Sequence, residues 1–381
     1  MSDFREFVDF IRSLYGGRDK IPLHEPRFSQ RERENVLAAI DSTFVSSVGA
    51  FVGEFERRVA MFTGAGHAIA TVNGTAALHV ALLLAGVKPG DLVITQPLTF
   101  VATANAIRYC GADPVFVDVD ADTLGLSPAS LQQFIDRECT PNGEGLIHRA
   151  SGRRVATCLP MHTLGHPVRI DLIVDICLDA GITLVEDAAE ALGSYYQGRH
   201  VGTFGRLGVL SFNGNKTITT GGGGMILTND SALSAQALHL TTTAKKPHRW
   251  LYEHDQTGFN YRLPNLNAAL GCGQMEALPV LLADKRAVAA EYQAWCGAHG
   301  FDFIAEPKGS RSNYWLNGIR LADAVQRDAF LKHTNDCGVM TRPLWMPLHQ
   351  LPMYSQCPKA DLSNAERLFA QVVNIPSSAR S

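Results

Sequence analysis

The stretch from His67 to Gly111, HAIATVNGTAALHVALLLAGVKPGDLVITQPLTFVATANAIRYCG, decides the fold class. His67–Val72 is a short apolar run and reads as a strand; Thr75–Ala85 is longer, rich in Ala and Leu, and reads as a helix. Leu92–Thr95 is a second strand, and Phe100–Cys110 a second helix, stopped by Gly111. The alternation continues with a strand at Val115–Val117 and a helix capped by Ser127 with Pro128 at its first position. Strands at Val155–Leu159 and Thr183–Glu186 follow, separated by a helix around Ile170–Ala180. Regular β-α alternation predicts an α/β fold with a mainly parallel sheet covered by helices on both faces.

Outside this block the pattern changes. Upstream, Asp3, Arg5, Glu6 and Asp9 within an apolar periodicity predict an amphipathic N-terminal helix rather than a secretory signal. Ser29 and Glu32 form a capping box ahead of the apolar stripe Val36, Ala39 and Ile40. Downstream, Gly208–Phe212 and Met225–Leu227 are two apolar runs joined by a polar, Gly-rich segment, a hairpin-like excursion. A long helical region, Leu266–Ala283 and then Lys285–His299, leads into a smaller α+β region. The boundary falls near 245–265 and divides a large unit, 1–250 with the N-terminal helical segment, from a small unit, 251–381. Pro343–Pro352 reads as an ordered irregular loop.

Composition narrows the partners. A hydrophobic fraction of 46% with 19% charged residues describes a globular enzyme-like chain. Lys and Arg number 34 against 37 Asp and Glu, a net charge of −3, so no basic excess points to nucleic acid or an anionic membrane surface. The eight cysteines contain no C-x-x-C pair and read as reduced core residues, with no metal site expected. The apolar stretch Ala76–Val87 is too short to span a bilayer, and a cytoplasmic location is expected.

In an open α/β sheet ligands bind beyond the carboxyl ends of the strands, so the residues standing there are the candidates. Gly74-Thr75-Ala76 opens a helix, where free N–H groups and the helix dipole suit a phosphate, although a plain N-cap has the same sequence. Phe100 could stack on a planar ring or belong to the core. Asp187 sits in apolar company where an unpaired charge is costly; its partner is either a protonated pyridine nitrogen or a salt bridge or cap. Lys216, between two apolar strands, is a surface lysine or, if held in a partly desolvated site, an imine-forming nucleophile. Gly221–Gly224 suit a flexible turn as well as a close backbone approach, and with no Lys-Ser or Lys-Thr after them they are not a P-loop.

These residues stand in segments that together resemble the DegT/DnrJ-type sugar aminotransferases, a branch of the aspartate-aminotransferase-like fold: N-G-T-A-A-L at 73–78, T-F-V-A-T-A-N-A at 99–106, V-E-D-A-A-E-A at 185–191, S-F-N-G-N-K at 211–216 and G-F-N-Y-R-L-P-N at 258–265. The resemblance implies a type I pyridoxal 5'-phosphate fold in which Gly74, Thr75 and Ala76 receive the cofactor phosphate, Phe100 stacks on the ring, Asp187 pairs with the pyridine nitrogen and Lys216 is the imine lysine. It also implies that Glu190 and Ser211 flank the cofactor, and that Asn260 reaches the phosphate of a neighbouring subunit in a homodimer with shared active sites. Glu190 stands where many members have Gln or His, and Gly222 where many have Glu.

The segments I-R-S-L-Y at 11–15, P-L-H-E-P-R-F at 22–28, D-S-T-F-V-S-S-V-G at 41–49 and T-T-T-A-K at 241–245 resemble a subgroup of legionaminic-acid and bacillosamine pathways. That likeness implies a UDP-linked 4-keto-6-deoxy-N-acetylhexosamine as substrate and glutamate as amino donor, with Arg342 and His349 as candidates for substrate contacts. The alternative is a GDP-linked 4-keto-6-deoxymannose, whose aminotransferases share a Glu at the position of Glu190. A sugar dehydratase of the same scaffold would carry His in place of Lys216, and a cofactor-free regulatory module would need a basic face that is not found.

Overall fold

A computed structural model describes residues 4–142 and 145–380. The N-terminal helix α1 spans Phe4–Leu14, so Asp3 lies outside the described residues, and helices α2 (Gln30–Asp41) and α3 (Ala50–Thr63) follow. Ser29 and Glu32 make the reciprocal capping box at the start of α2. The alternating block is β1 (His67–Thr71), α4 (Gly74–Leu84), β2 (Leu92–Thr95), α5 (Ala102–Tyr109), β3 (Asp113–Phe116) and α6 (Pro128–Glu138), the last capped by Ser127. A hairpin that the sequence pattern did not reveal, β4 (Cys139–Asn142) with β5 (Gly145–His148), precedes β6 (Arg154–Leu159), α7 (Ile170–Asp179) and β7 (Thr183–Asp187).

A short β8 (Tyr195–Tyr196) and β9 (Arg199–His200) lead to β10 (Leu207–Ser211) and β11 (Gly224–Thr228), the expected antiparallel excursion. Helix α8 covers Ser231–Thr241, and a single 35-residue helix, α9, runs from Asn265 to His299. The chain closes with β12 (Asp302–Phe303), β13 (Ser310–Arg311), β14 (Asn317–Arg320), α10 (Ala324–Asp336), β15 (Arg342–Pro343), α11 (Ser363–Gln371) and β16 (Val372–Ile375).

The main sheet runs β1-β11-β10-β7-β6-β2-β3, with β10, β7, β6, β2 and β3 pairing parallel and β11 antiparallel to both its neighbours. This direction pattern puts the carboxyl ends of β1, β2, β6, β7 and β10 on one edge. Helices cover both faces: one apolar core joins Phe55, Leu184, Leu210 and Leu278, the other Leu78, Ile107, Val185 and Ile226. A second, antiparallel sheet, β12-β14-β16-β15, stands beside it.

Two features differ from the sequence reading. Phe7, Val8 and Ile11 of α1 pack with Tyr292, Ile319, Phe330 and Val373, so the N-terminal helix shares the core of the small sheet rather than that of the large one. Its apolar stripe fits that core because the back half of α9 and α10 leave it uncovered; periodicity names a buried face but not its partner. Second, α9 is continuous through Pro279, and by length and composition it is apolar enough to cross a membrane. Its front half instead packs on α2 and α3, and its interior residues include the buried Lys285.

Candidate active site

The glycine run and the start of α4 form the first wall. A Cβ at Gly224 would stand 2.4 Å from Asn73 O and 2.7 Å from Gly74 N, so only glycine lets β11 approach this helix start. Gly74 faces Ser211 in the same way, with 3.1 Å from its absent Cβ to Ser211 Cβ. Asn73 caps α4 by accepting the Ala76 N–H at 2.8 Å. Ala76, expected to serve a phosphate, therefore gives its N–H to the cap, and the open helix end is made by Gly74 and Thr75.

Opposite them, β7 ends on Asp187, which is buried. Thr103 donates its hydroxyl to Asp187 Oδ2 at 2.8 Å, and Ala189 N–H donates to Oδ1 at 3.1 Å. Burial nevertheless raises this carboxyl above its usual range, against those two hydrogen bonds. Among the described residues no cation forms an ion pair with it. Behind it Glu186 is also buried, but His162 at 3.1 Å and the N–H groups of Gly202, Phe204 and Gly205 hold it below the usual range although burial opposes them.

Lys216 follows β10 on the loop that returns to β11. Its Nζ lies 3.3 Å from Glu190 Oε1 and 4.0 Å from the centre of the Trp315 ring. Burial pushes the Glu190 carboxyl up to about 7, with Lys216 and the Leu164 N–H acting against it. Asn73, Gly74, Thr75, Phe100, Asp187, Glu190, Ser211 and Lys216 line one cavity of about 390 Å³. Phe100, just ahead of α5, is 52% exposed, so its ring is open to a planar ligand rather than packed in the core.

This donor set fits pyridoxal phosphate: helix-end N–H groups for an anion, an exposed aromatic face, a buried carboxyl lacking a cation and an amine, all on one cavity. Among the described residues no group of His, Cys, Asp or Glu is arranged to hold a metal ion.

Asn260, Arg342 and His349 are not brought into this cavity of their own chain. Asn260 is exposed and bridges to Thr242. Arg342 is exposed on β15 and donates to Asn335 Oδ1 at 3.0 Å and Thr341 O at 2.9 Å. His349 is buried against Glu366, 3.1 Å away. The irregular loop instead sends Trp345 to the cavity, and the segment before β14 sends Trp315. Sequence reasoning missed both tryptophans and Thr103; Thr103 alone carried a signal, standing in the first turn of the helix after a strand end.

Likeness to known proteins extends over most of the chain. Residues 26–380 match the DegT/DnrJ/EryC1/StrS aminotransferase family. The GDP-perosamine synthase of Escherichia coli O157:H7 is 36% identical over 357 residues, 94% of this chain and 93% of that one. The GDP-perosamine synthase of Caulobacter vibrioides is 37% identical over 365 residues, 94% of each. The aminotransferase TlmJ from Streptoalloteichus hindustanus superposes with a TM-score of 0.83 at 30% identity, covering 93% of both chains. With a lysine, a buried aspartate and a phosphate-type helix end on one cavity, the chain belongs to the DegT/DnrJ/EryC1/StrS aminotransferase family and is a pyridoxal-phosphate-dependent sugar aminotransferase.

Proposed function

We propose that the chain aminates the 4-keto carbon of a GDP-linked 4-keto-6-deoxyhexose, with glutamate as nitrogen donor. The observation that carries this reading is the name shared by relatives matched over nearly the whole chain, GDP-perosamine synthase in Escherichia coli, Caulobacter vibrioides and, at 32% identity, Vibrio cholerae. Glu190 fits the same reading, since the resemblance implies a Glu at this position in GDP-linked keto-sugar aminotransferases. The UDP-linked N-acetylhexosamine implied by the segments at 11–15, 22–28, 41–49 and 241–245 is the second reading.

When bound, pyridoxal phosphate supplies an aldehyde for a lysine amine and a ring that takes up the electrons left behind when a proton leaves the adjacent carbon. In this reading Gly74, Thr75 and Ser211 hold its phosphate, Phe100 covers the ring, and Asp187 holds the proton on the pyridine nitrogen. Lys216 would supply the amine for that aldehyde and would take up and return the proton at its Nζ. Asn260, exposed and not among the residues lining its own cavity, serves the cavity of a second copy, so the working unit is a homodimer. Eight unpaired cysteines suit the reducing cytoplasm, where we place the enzyme.

Direct competition decides the nucleotide. With glutamate in excess and the two keto-sugars at equal concentration, the GDP-linked substrate is expected to be aminated at least about tenfold faster, as a difference of some 1.4 kcal/mol in transition-state binding would give. Faster amination of the UDP-linked sugar would sink the assignment.

A further inference from the structure

Glu190 is placed so that both its oxygens face donors. Oε2 accepts the Leu164 N–H at 2.9 Å, and Oε1 lies 3.3 Å from Lys216 Nζ. Leu164 has φ 58°, a left-handed conformation that a β-carbon-bearing residue keeps only when its surroundings hold it. An amide at position 190 has one acceptor and one NH2 group, so it would turn a donor toward either Leu164 or Lys216; only a carboxylate suits both.

Across the amine stands the Trp315 ring, whose face attracts a cation. Asn313 ties these two partners together. Its Nδ2 donates to Glu190 O at 2.8 Å, and its Oδ1 accepts Trp315 N–H at 2.8 Å. The Trp315 indole N–H is fixed to Asn215 O at 2.6 Å. The other ionisable groups whose charge is felt at this pair are Asp187 on β7 and His24 from the segment before α2. Asp187 is occupied by Thr103 and Ala189, and the His24 ring nitrogens are buried with no hydrogen-bond partner among the described residues.

We infer that Glu190 is a catalytic residue that holds the proton on the Lys216 nitrogen whenever that amine is free, with Trp315 as the back wall of the same clamp. A carboxylate and a ring face both bind an ammonium more strongly than an amine, so removing the carboxylate releases the proton more easily. The proton stays on Nζ, ready for delivery to carbon, instead of passing to water. This role rests on Lys216 being the reacting amine, and the test therefore reads that amine itself and not turnover.

The experiment is acylation of Lys216 by acetic anhydride in the full-length protein freed of cofactor, followed by peptide mass spectrometry with the exposed Lys88 as internal reference. Only the unprotonated amine reacts, so Glu190→Gln is expected to be labelled about tenfold faster near pH 9, where a carboxyl that ionises at about 7 is charged, the equivalent of one unit of proton affinity. Equal or slower labelling would overturn the role whatever the activity of the variant. The wild type gives an answer without any variant. A lysine titrating alone increases its labelling tenfold per pH unit, whereas one beside a carboxyl that ionises at about 7 shows a shoulder around that pH before the rise resumes. An unbroken tenfold-per-unit rise from about pH 6 to 9 would equally overturn the clamp.

Discussion

Lys216 and Lys285 are two lysines in contact with one tryptophan, and they differ in what else surrounds them. Lys216 meets the Trp315 ring and a carboxylate. Lys285, on α9, is fully buried and among the described residues donates to neutral carbonyls, Trp315 O at 3.1 Å and Ser377 O at 2.5 Å. Burial lowers Lys285 to about 7, with Asp284 offsetting little of it. By perturbation alone Lys285 would be the catalytic candidate; it opens on no part of the cavity, and Lys216 does. A shifted pKa marks an interior charge, and the site is marked by what converges on it.

The comparison breaks most sharply under truncation. Lys216→Ala is expected to lose transamination by at least two to four orders of magnitude, the range for removing a proton-transferring group, with melting behaviour preserved. Steady-state assays retaining a tenth of wild-type turnover would reverse the assignment of the two lysines.

The second effect is on stability. Lys285 has a folded pKa of about 7 against 10.5, so the unfolded chain binds more protons between those values and stability rises with pH across that window. The rise attributable to Lys285 is about 5 kcal/mol. Denaturant unfolding from about pH 7 to 10 should lose this slope in Lys285→Met, whatever the absolute stability of the variant. A slope unchanged in the variant would mean that Lys285 is hydrated or paired.

The smallest effect belongs to the other lysine's partner. Glu190 is raised from 4.5 to about 7, so its contribution is fully present below 4.5 and is lost as pH climbs to 7, a decline of about 3 kcal/mol. Glu190→Gln, measured without cofactor, should flatten that decline. The Glu190 contribution thus falls toward pH 7 from the acid side, and the Lys285 contribution climbs beyond it. If the two variants changed the same pH window, the two regions would be one coupled network.

Much of the cavity was legible before any coordinates. Asn73 to Thr75, Phe100, Asp187 and Lys216 follow strand ends, and parallel strands leave one edge for all of them. Glu190 and Ser211 follow from likeness rather than from pattern; both line the cavity, and Glu190 is the carboxylate touching Lys216. Trp315 and Trp345 carried no signal, because they come from irregular segments of the small sheet, where side-chain direction follows from docking and not from period. Arg342 and His349 lie in the same region as Trp345 and turned elsewhere, to Asn335 and Glu366.

The sequence alone determined the alternation of strands and helices, hence a parallel sheet, and hence the edge on which Asp187 and Lys216 both stand, since strand polarity is a consequence of β-α order. Only the tertiary structure decided what faces the lysine. The Glu190 carboxylate and the Trp315 ring meet at its amine because Asn313 joins two segments more than a hundred residues apart, and such a contact is set by packing rather than by any local period.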